Sequence, residues 1–324
     1  MLVAHLCPAG GIFNVSEYLT APLFAVIIGI SMGVRLDERR PPAGTFLLDN
    51  LQRGLVLVVL GVLLQSLYSQ IDVVLPYLGV LVVVLAPLAL LLHRVPVLTL
   101  GIAGALAVVG PLVVERAREA STTVAGGTPD LLGWVATGHS YRLVSFLPMA
   151  LGGLALASVL RRAARPPEGY VVAGVLFVLS VAAYGLGRGT PDGSAAYSGT
   201  TAEVVGATFL AAATVVASCV AVDLLRRVGA GAVLGPWLST GRLALTAYTL
   251  QILYLTVIQI AVGPRRDDSW LILGSTTLVV VGGCWLLERR FGTGPLEWVI
   301  HQIRPTPRPE GRHEATSSDG AGAG

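Results

Sequence analysis

Val73-Val74-Leu75-Pro76-Tyr77-Leu78-Gly79-Val80-Leu81-Val82-Val83-Val84-Leu85-Ala86-Pro87-Leu88-Ala89-Leu90-Leu91-Leu92 runs without one charge until His93-Arg94 ends it. In another setting Val83-Val84-Leu85 would suit a strand. At this length a helix spans about 30 Å, the thickness of a bilayer's hydrocarbon core. An open strand in lipid would leave its backbone N–H and C=O groups unpaired, so the run is read as a membrane-spanning helix.

Eight further stretches share this character. With the first they fall at about 18–34, 53–70, 73–92, 96–114, 143–160, 169–187, 204–223, 241–263 and 269–287. Hydrophobic residues make up 54% of the 324 positions and charged ones 13%, against about 25% charged in soluble domains. The fold class expected is therefore all-α: a polytopic helix bundle with nine full spans and a partial N-terminal helix. Residues 1–302 form the membrane domain, and 303–324, rich in Pro, Ser and Gly, read as a disordered cytoplasmic tail. Met1 to Pro8 is apolar but covers barely two turns. It reads as the outer end of a helix whose first half lies upstream, in roughly 20–40 further residues; a short re-entrant or surface helix is the alternative.

Every basic side chain apart from histidine is Arg, and Lys is absent. That excludes a lysine Schiff base, a pyridoxal phosphate anchor and the lysine of a phosphate-binding loop. Cys7, Cys219 and Cys284 have no metal-ligand spacing, so neither a metal nor a disulfide is expected. The soluble-enzyme signature HExxH is missing. Gly152-Gly153 lies within a span, where small residues let helices approach closely.

Arginines alternate between the two sides. One side carries Arg35, Arg39, Arg40, Arg53, Arg94, Arg161, Arg162, Arg165, Arg226, Arg227, Arg242, Arg289, Arg290, Arg304, Arg308 and Arg312. The other carries Arg116, Arg118, Arg142, Arg188, Arg265 and Arg266. The richer side is expected to be cytoplasmic, which puts the C-terminus inside and the loops 115–142 and 188–203 outside.

The span interiors, so delimited, hold almost no charge. Asp223 reads as the helix-face partner of Arg226 or Arg227, and Gln65, Gln251 and Gln259 as helix–helix hydrogen-bonding groups. Polar residues gather instead at the outer face: His5, Asn14 and Glu17; Asp72 and Tyr77; His139, Tyr141 and Arg142; Ser198 and Glu203. A histidine beside a carboxylate is the usual means of deprotonating a weak nucleophile near neutral pH.

Several phrases carry a family resemblance. Gly241-Arg242-Leu243-Ala244-Leu245-Thr246-Ala247-Tyr248 and Phe291-Gly292-Thr293-Gly294-Pro295-Leu296-Glu297-Trp298 resemble stretches of the YeiB-like bacterial membrane proteins. Leu23-Phe24-Ala25-Val26-Ile27-Ile28-Gly29-Ile30-Ser31 is similar to a helix shared with relatives of heparan-α-glucosaminide N-acetyltransferase. Thr137-Gly138 and Tyr197-Ser198-Gly199-Thr200 fit as well, so the likeness covers nearly the whole chain. It implies a transmembrane acyltransferase of a bacterial plasma membrane, with acyl-CoA or acetyl-CoA as donor and no metal. Expected partners are membrane lipid and a glycan or lipid acceptor outside, with no nucleic acid and room for a homodimer. His5 falls where relatives end their first helix with His or Asn. On this reading His5 is the general base, polarised by Glu17 or Asn14, and His139 with Arg142 positions the acceptor or the acyl carbonyl. Asp72, Tyr77, Tyr141 and Glu203 complete the acceptor site, and Arg242 meets the phosphates of CoA. The rivals are a transporter or flippase of a lipid or small molecule, and a non-enzymatic membrane scaffold.

Overall fold

With lipid as solvent, each backbone polar group has to be satisfied inside its own segment, and the apolar runs all become helices. The computed structural model describes residues 15–67, 72–123, 135, 141–162, 166–189, 193, 195–263 and 269–303. The helices are α1 (Val15–Arg39), α2 (Ala43–Gln65), α3 (Leu75–Leu92), α4 (Pro96–Thr123), α5 (Leu143–Arg162), α6 (Pro166–Gly187), α7 (Thr201–Arg227), α8 (Gly235–Arg242), α9 (Ala244–Val262), α10 (Trp270–Phe291) and α11 (Pro295–Ile303). A 3₁₀ turn, Ala230–Leu234, links α7 to α8. Among the described residues nine helices, α1 to α7 with α9 and α10, are long and apolar enough to cross a membrane. The chain is an all-α multi-pass bundle.

The spans fall where the sequence places them, with one substantial correction. The second span is not 53–70 but Ala43–Gln65, starting directly after Pro41-Pro42. Asp49 and Asn50 suggest a loop ahead of Arg53, yet both lie on the same helix as it. The structure explains why a charge is tolerated there. Asp49 is 5% exposed and forms an ion pair with Arg35 of α1, and the Asn50 Nδ2 donates to Phe46 O at 2.8 Å. A charge inside a span is held when it faces the bundle and is paired. The span interiors are therefore less bare than the sequence boundaries imply.

Helices in lipid gain little from burying apolar surface, because lipid tails are as apolar as leucine. Close van der Waals packing has to hold them together. Gly29 and Gly33 of α1 supply it against α5: a β-carbon at Gly29 would strike the Ala150 backbone, and one at Gly33 the Ala157 side chain. From the opposite direction, Gly153 of α5 leaves no room for a β-carbon beside the Val26 backbone. Gly54 of α2 and Gly79 of α3 meet in the same way. Around this pair the core collects Leu81, Leu85, Met149, Leu151 and Ile252, all fully buried. The outward faces of α4, α6 and α10 expose Leu112, Val178 and Leu278, the inverse of a soluble protein's pattern.

At the arginine-rich end the chain folds back on itself. Asp223 pairs with Arg227 at 2.8 Å, as their i,i+4 spacing implies. Glu297 of α11 then caps α9, accepting from Leu245 N at 2.9 Å, Thr246 N at 3.0 Å and Thr246 Oγ1 at 2.5 Å. It satisfies N–H groups that a helix start leaves orphaned, and its charge suits the positive end of the helix dipole. Gly294 is required because a β-carbon there would meet Glu297 Oε2 and Thr246 Oγ1. Gln251 and Gln259 are buried, but Gln251 Nε2 and Gln259 Oε1 find no hydrogen-bond partner among the described residues. Gln65 is exposed.

Candidate functional site

The polar groups expected at the outer face converge at the end opposite the arginine-rich one. Arg142 is the last residue before α5 and is only 4% exposed. A guanidinium so buried needs hydrogen-bond acceptors, and its Nη1 donates to Ser198 O at 2.9 Å. Glu203, also 4% exposed, stands in the first turn of α7. Its Oε2 accepts from Gly199 N at 3.2 Å, its own backbone N donates to Thr200 Oγ1 at 3.2 Å, and the Tyr197 backbone N–H and the Arg142 charge also act on it. Thr200 with Glu203 forms a variant of the capping box, with the carboxylate reaching one residue beyond the cap. Arg142 and Glu203 thus hold the 197–199 turn from two sides, and that turn bends through positive φ at Tyr197 (61°) and Gly199 (75°).

A narrow cleft of about 10 Å³, room for roughly one water, opens at this junction, lined by Pro22, Arg142, Ser145, Phe146, Tyr197 and Glu203 among others. Beside it Tyr141 ties three loops together. Its ring meets Tyr77 and Tyr197 edge-on at 5.6 Å each and tilts on Phe146 at 6.0 Å. Its hydroxyl donates to Asp72 O at 3.4 Å. Burial, and then the neighbouring Tyr197, push the Tyr141 phenol well above its usual range. It stays protonated, so it acts as a donor and not as a base. Tyr248 of α9 accepts from Val74 N at 3.2 Å, joining the C-terminal helices to the same loop.

Of the residues that the sequence nominates, Arg142, Glu203, Tyr141, Tyr77 and Asp72 are brought to one end of the bundle. Arg142 and Glu203 line the cleft itself. Asp72 is exposed and takes part here through its backbone carbonyl. His5, Asn14 and His139 lie outside the described residues. Glu17 falls in the first turn of α1, but its side chain is outside them too. Tyr197, Gly199 and Thr200 were quoted only for their family likeness, and the cleft is built on them. The spacing of Thr200 and Glu203 is the signal that would have placed the start of α7 and the turn before it.

Arg242 stands at the other end. Its Nε and Nη2 meet Glu288 Oε1 at 2.5 Å and Oε2 at 2.9 Å, a bidentate pair. That hydrogen-bonded contact is the main cause of a raised Arg242 pKa. Arg242 also borders an open pocket of about 350 Å³, shared with Arg53, Leu57, Thr293, Glu297 and His301.

The fold and these two pockets define a multi-pass helical membrane protein with a polar site towards each end. Residues 154–304 match the family model described as "Protein of unknown function (DUF418)". This matched part holds Glu203, Gly199, Arg242, Glu288 and Glu297; Arg142 precedes it. No curated protein and no solved structure matches the chain.

Proposed function

We propose that this protein is a membrane-bound acyltransferase. It takes an acyl group from a CoA thioester on the arginine-rich, cytoplasmic side and passes it to a hydroxyl of a glycan or lipid outside a bacterial plasma membrane. The observation behind this reading is the pairing of two dissimilar polar pockets in one bundle. The pocket gathers Arg53, Arg242 and His301 on the arginine-rich side, and guanidinium groups bind phosphate well, Arg242 by exchanging Glu288 for the donor. The narrow Arg142–Glu203 cleft offers a guanidinium and a carboxylate to a hydroxyl-bearing group at its mouth. In the transfer the acceptor oxygen attacks the thioester carbonyl, the carbon–sulfur bond breaks, and the CoA thiolate leaves. The acceptor's proton passes to a base, assigned to His5, and the thiolate takes a proton from solvent.

One observation favours a transporter as the second reading. Arg35 and Asp49 form a charged pair inside a span, and ionisable pairs there often mark translocation paths. Purified protein in proteoliposomes separates the two. The enzyme liberates free CoA thiol only when donor and an envelope-lipid or glycan extract are both present, and the acyl label moves to the acceptor. Transmembrane flux of a labelled lipid without thiol release would favour the transporter.

A further inference from the structure

We propose that the acceptor is a membrane lipid, and that its acyl chain enters sideways through a groove between α4 and α6. In giving that lipid the role of acceptor, the inference rests on the acyltransferase reading. Both helices pack on α7, which forms the floor between them. The groove, about 510 Å³, is walled by Pro111 of α4 and by Ala183 and Leu186 of α6, and floored by Thr201, Ala202 and Val205.

Three features point to a hydrocarbon occupant. Among the described residues the walls carry no charged side chain. The hydroxyls at its inner edge are already committed, Thr200 Oγ1 to Gly193 O and Thr201 Oγ1 to Ala107 O, each at 3.0 Å. A sugar or nucleotide would find no partner for its polar groups and would lose them to desolvation. The groove is also continuous with the lipid-facing surface, since Leu186 on its wall is 84% exposed and Val108, Val109 and Leu112 expose the adjoining side of α4. An acyl chain reaches it from the bilayer without crossing water.

The groove ends where the cleft begins. Thr200 and Thr201 line the groove, while Gly199 and Glu203 line the cleft, so one turn of α7 separates them. A chain lying in the groove carries its headgroup to the end where Arg142 and Glu203 sit. That makes the protein selective for an acceptor already in the membrane over a soluble glycan of the same headgroup chemistry.

The test uses the full chain in nanodiscs of bacterial lipid, doped with a phospholipid bearing a diazirine on its acyl chain, with no acyl donor present. After irradiation, crosslinks should concentrate on peptides holding Ala183–Leu186 and Thr201–Val205. They should be lost in Val205→Trp, which fills the floor, and kept in Leu278→Trp, an outward residue of α10. Crosslinks spread evenly over the outward faces of α4, α6 and α10 would mean ordinary boundary lipid and would overturn the proposal, even if Val205→Trp failed to fold. Binding is read without donor, so groove crosslinks combined with no thiol release or acyl transfer in the separate assay with donor would sink the enzyme reading and leave a lipid-binding groove. Transfer to a soluble glycan with no groove crosslink would sink this inference alone.

Discussion

Gly199 and Arg142 approach so closely that a β-carbon on the glycine would overlap the guanidinium Nη1. The same Nη1 donates to the Ser198 carbonyl, so one turn of chain is shaped around a buried charge. Gly199 is needed twice, for its φ of +75° and for the missing side chain. Gly199→Ala is expected to cost about 1–2 kcal/mol for the left-handed backbone alone, with a further loss as Arg142 is pushed off Ser198. Gly229 makes the control, because its φ is +78° and nothing lies within 4 Å of its β-carbon position. Thermal unfolding in detergent should show a larger fall in Tm for Gly199→Ala than for Gly229→Ala. Equal falls would show that the Arg142 contact has no weight.

The Arg35–Asp49 pair calls for a double-mutant cycle. Removing one partner of a buried pair leaves the other charge uncompensated, so Asp49→Ala is expected to destabilise by about 3–5 kcal/mol. Replacing both, as Arg35→Met with Asp49→Leu, should restore most of that, because an apolar pair carries no desolvation cost. If the double variant is as unstable as the sum of the singles, the two side chains act independently and the contact is incidental.

The sequence carried the helices far better than it carried the site. Run length and hydropathy mark the nine spans because lipid admits few other solutions. The second span slipped because Asp49 and Asn50 look like loop residues until Arg35 is seen opposite Asp49, and a pairing across two helices leaves no local pattern. At the end opposite the arginine-rich one, Arg142 and Glu203 could be named from their position before apolar runs. Their grip on a shared turn could not, since it depends on backbone φ at Tyr197 and Gly199. Two phrases noted for likeness alone, around Thr246 and Glu297, prove to touch through Glu297's cap on α9. Their 51-residue separation hides the contact from any reading along the chain.

Orientation follows from the arginine asymmetry, which acts during insertion. With Cys7, Cys219 and Cys284 replaced, Ser194→Cys should react with an impermeant maleimide on intact cells. Ser318→Cys should react only after lysis. The opposite pattern would turn the bundle over and place the Arg142–Glu203 cleft in the cytoplasm, leaving the Arg242 pocket to face out.

The base remains to be assigned by experiment, and the cleft narrows the choice. Glu203 is ill suited to it, because its carboxylate is already held by backbone N–H groups of the 197–199 turn. Such bonds fix the side chain in a structural role. Tyr141 is kept protonated by burial. A histidine, with an ordinary pKa of about 6.5, fits proton abstraction near neutral pH, and His5 is the one proposed for that role. His5→Ala should therefore lower kcat by roughly 100-fold or more while leaving Tm and membrane insertion unchanged. Glu203→Gln should do the reverse, lowering Tm as the turn before α7 loosens. His139→Ala and Arg142→Ala should act chiefly on KM, and His313→Ala on nothing. A His5→Ala protein that still transfers acyl groups at the parent rate would remove the proton acceptor from this mechanism, and the Arg35–Asp49 pair would then make transport the stronger account.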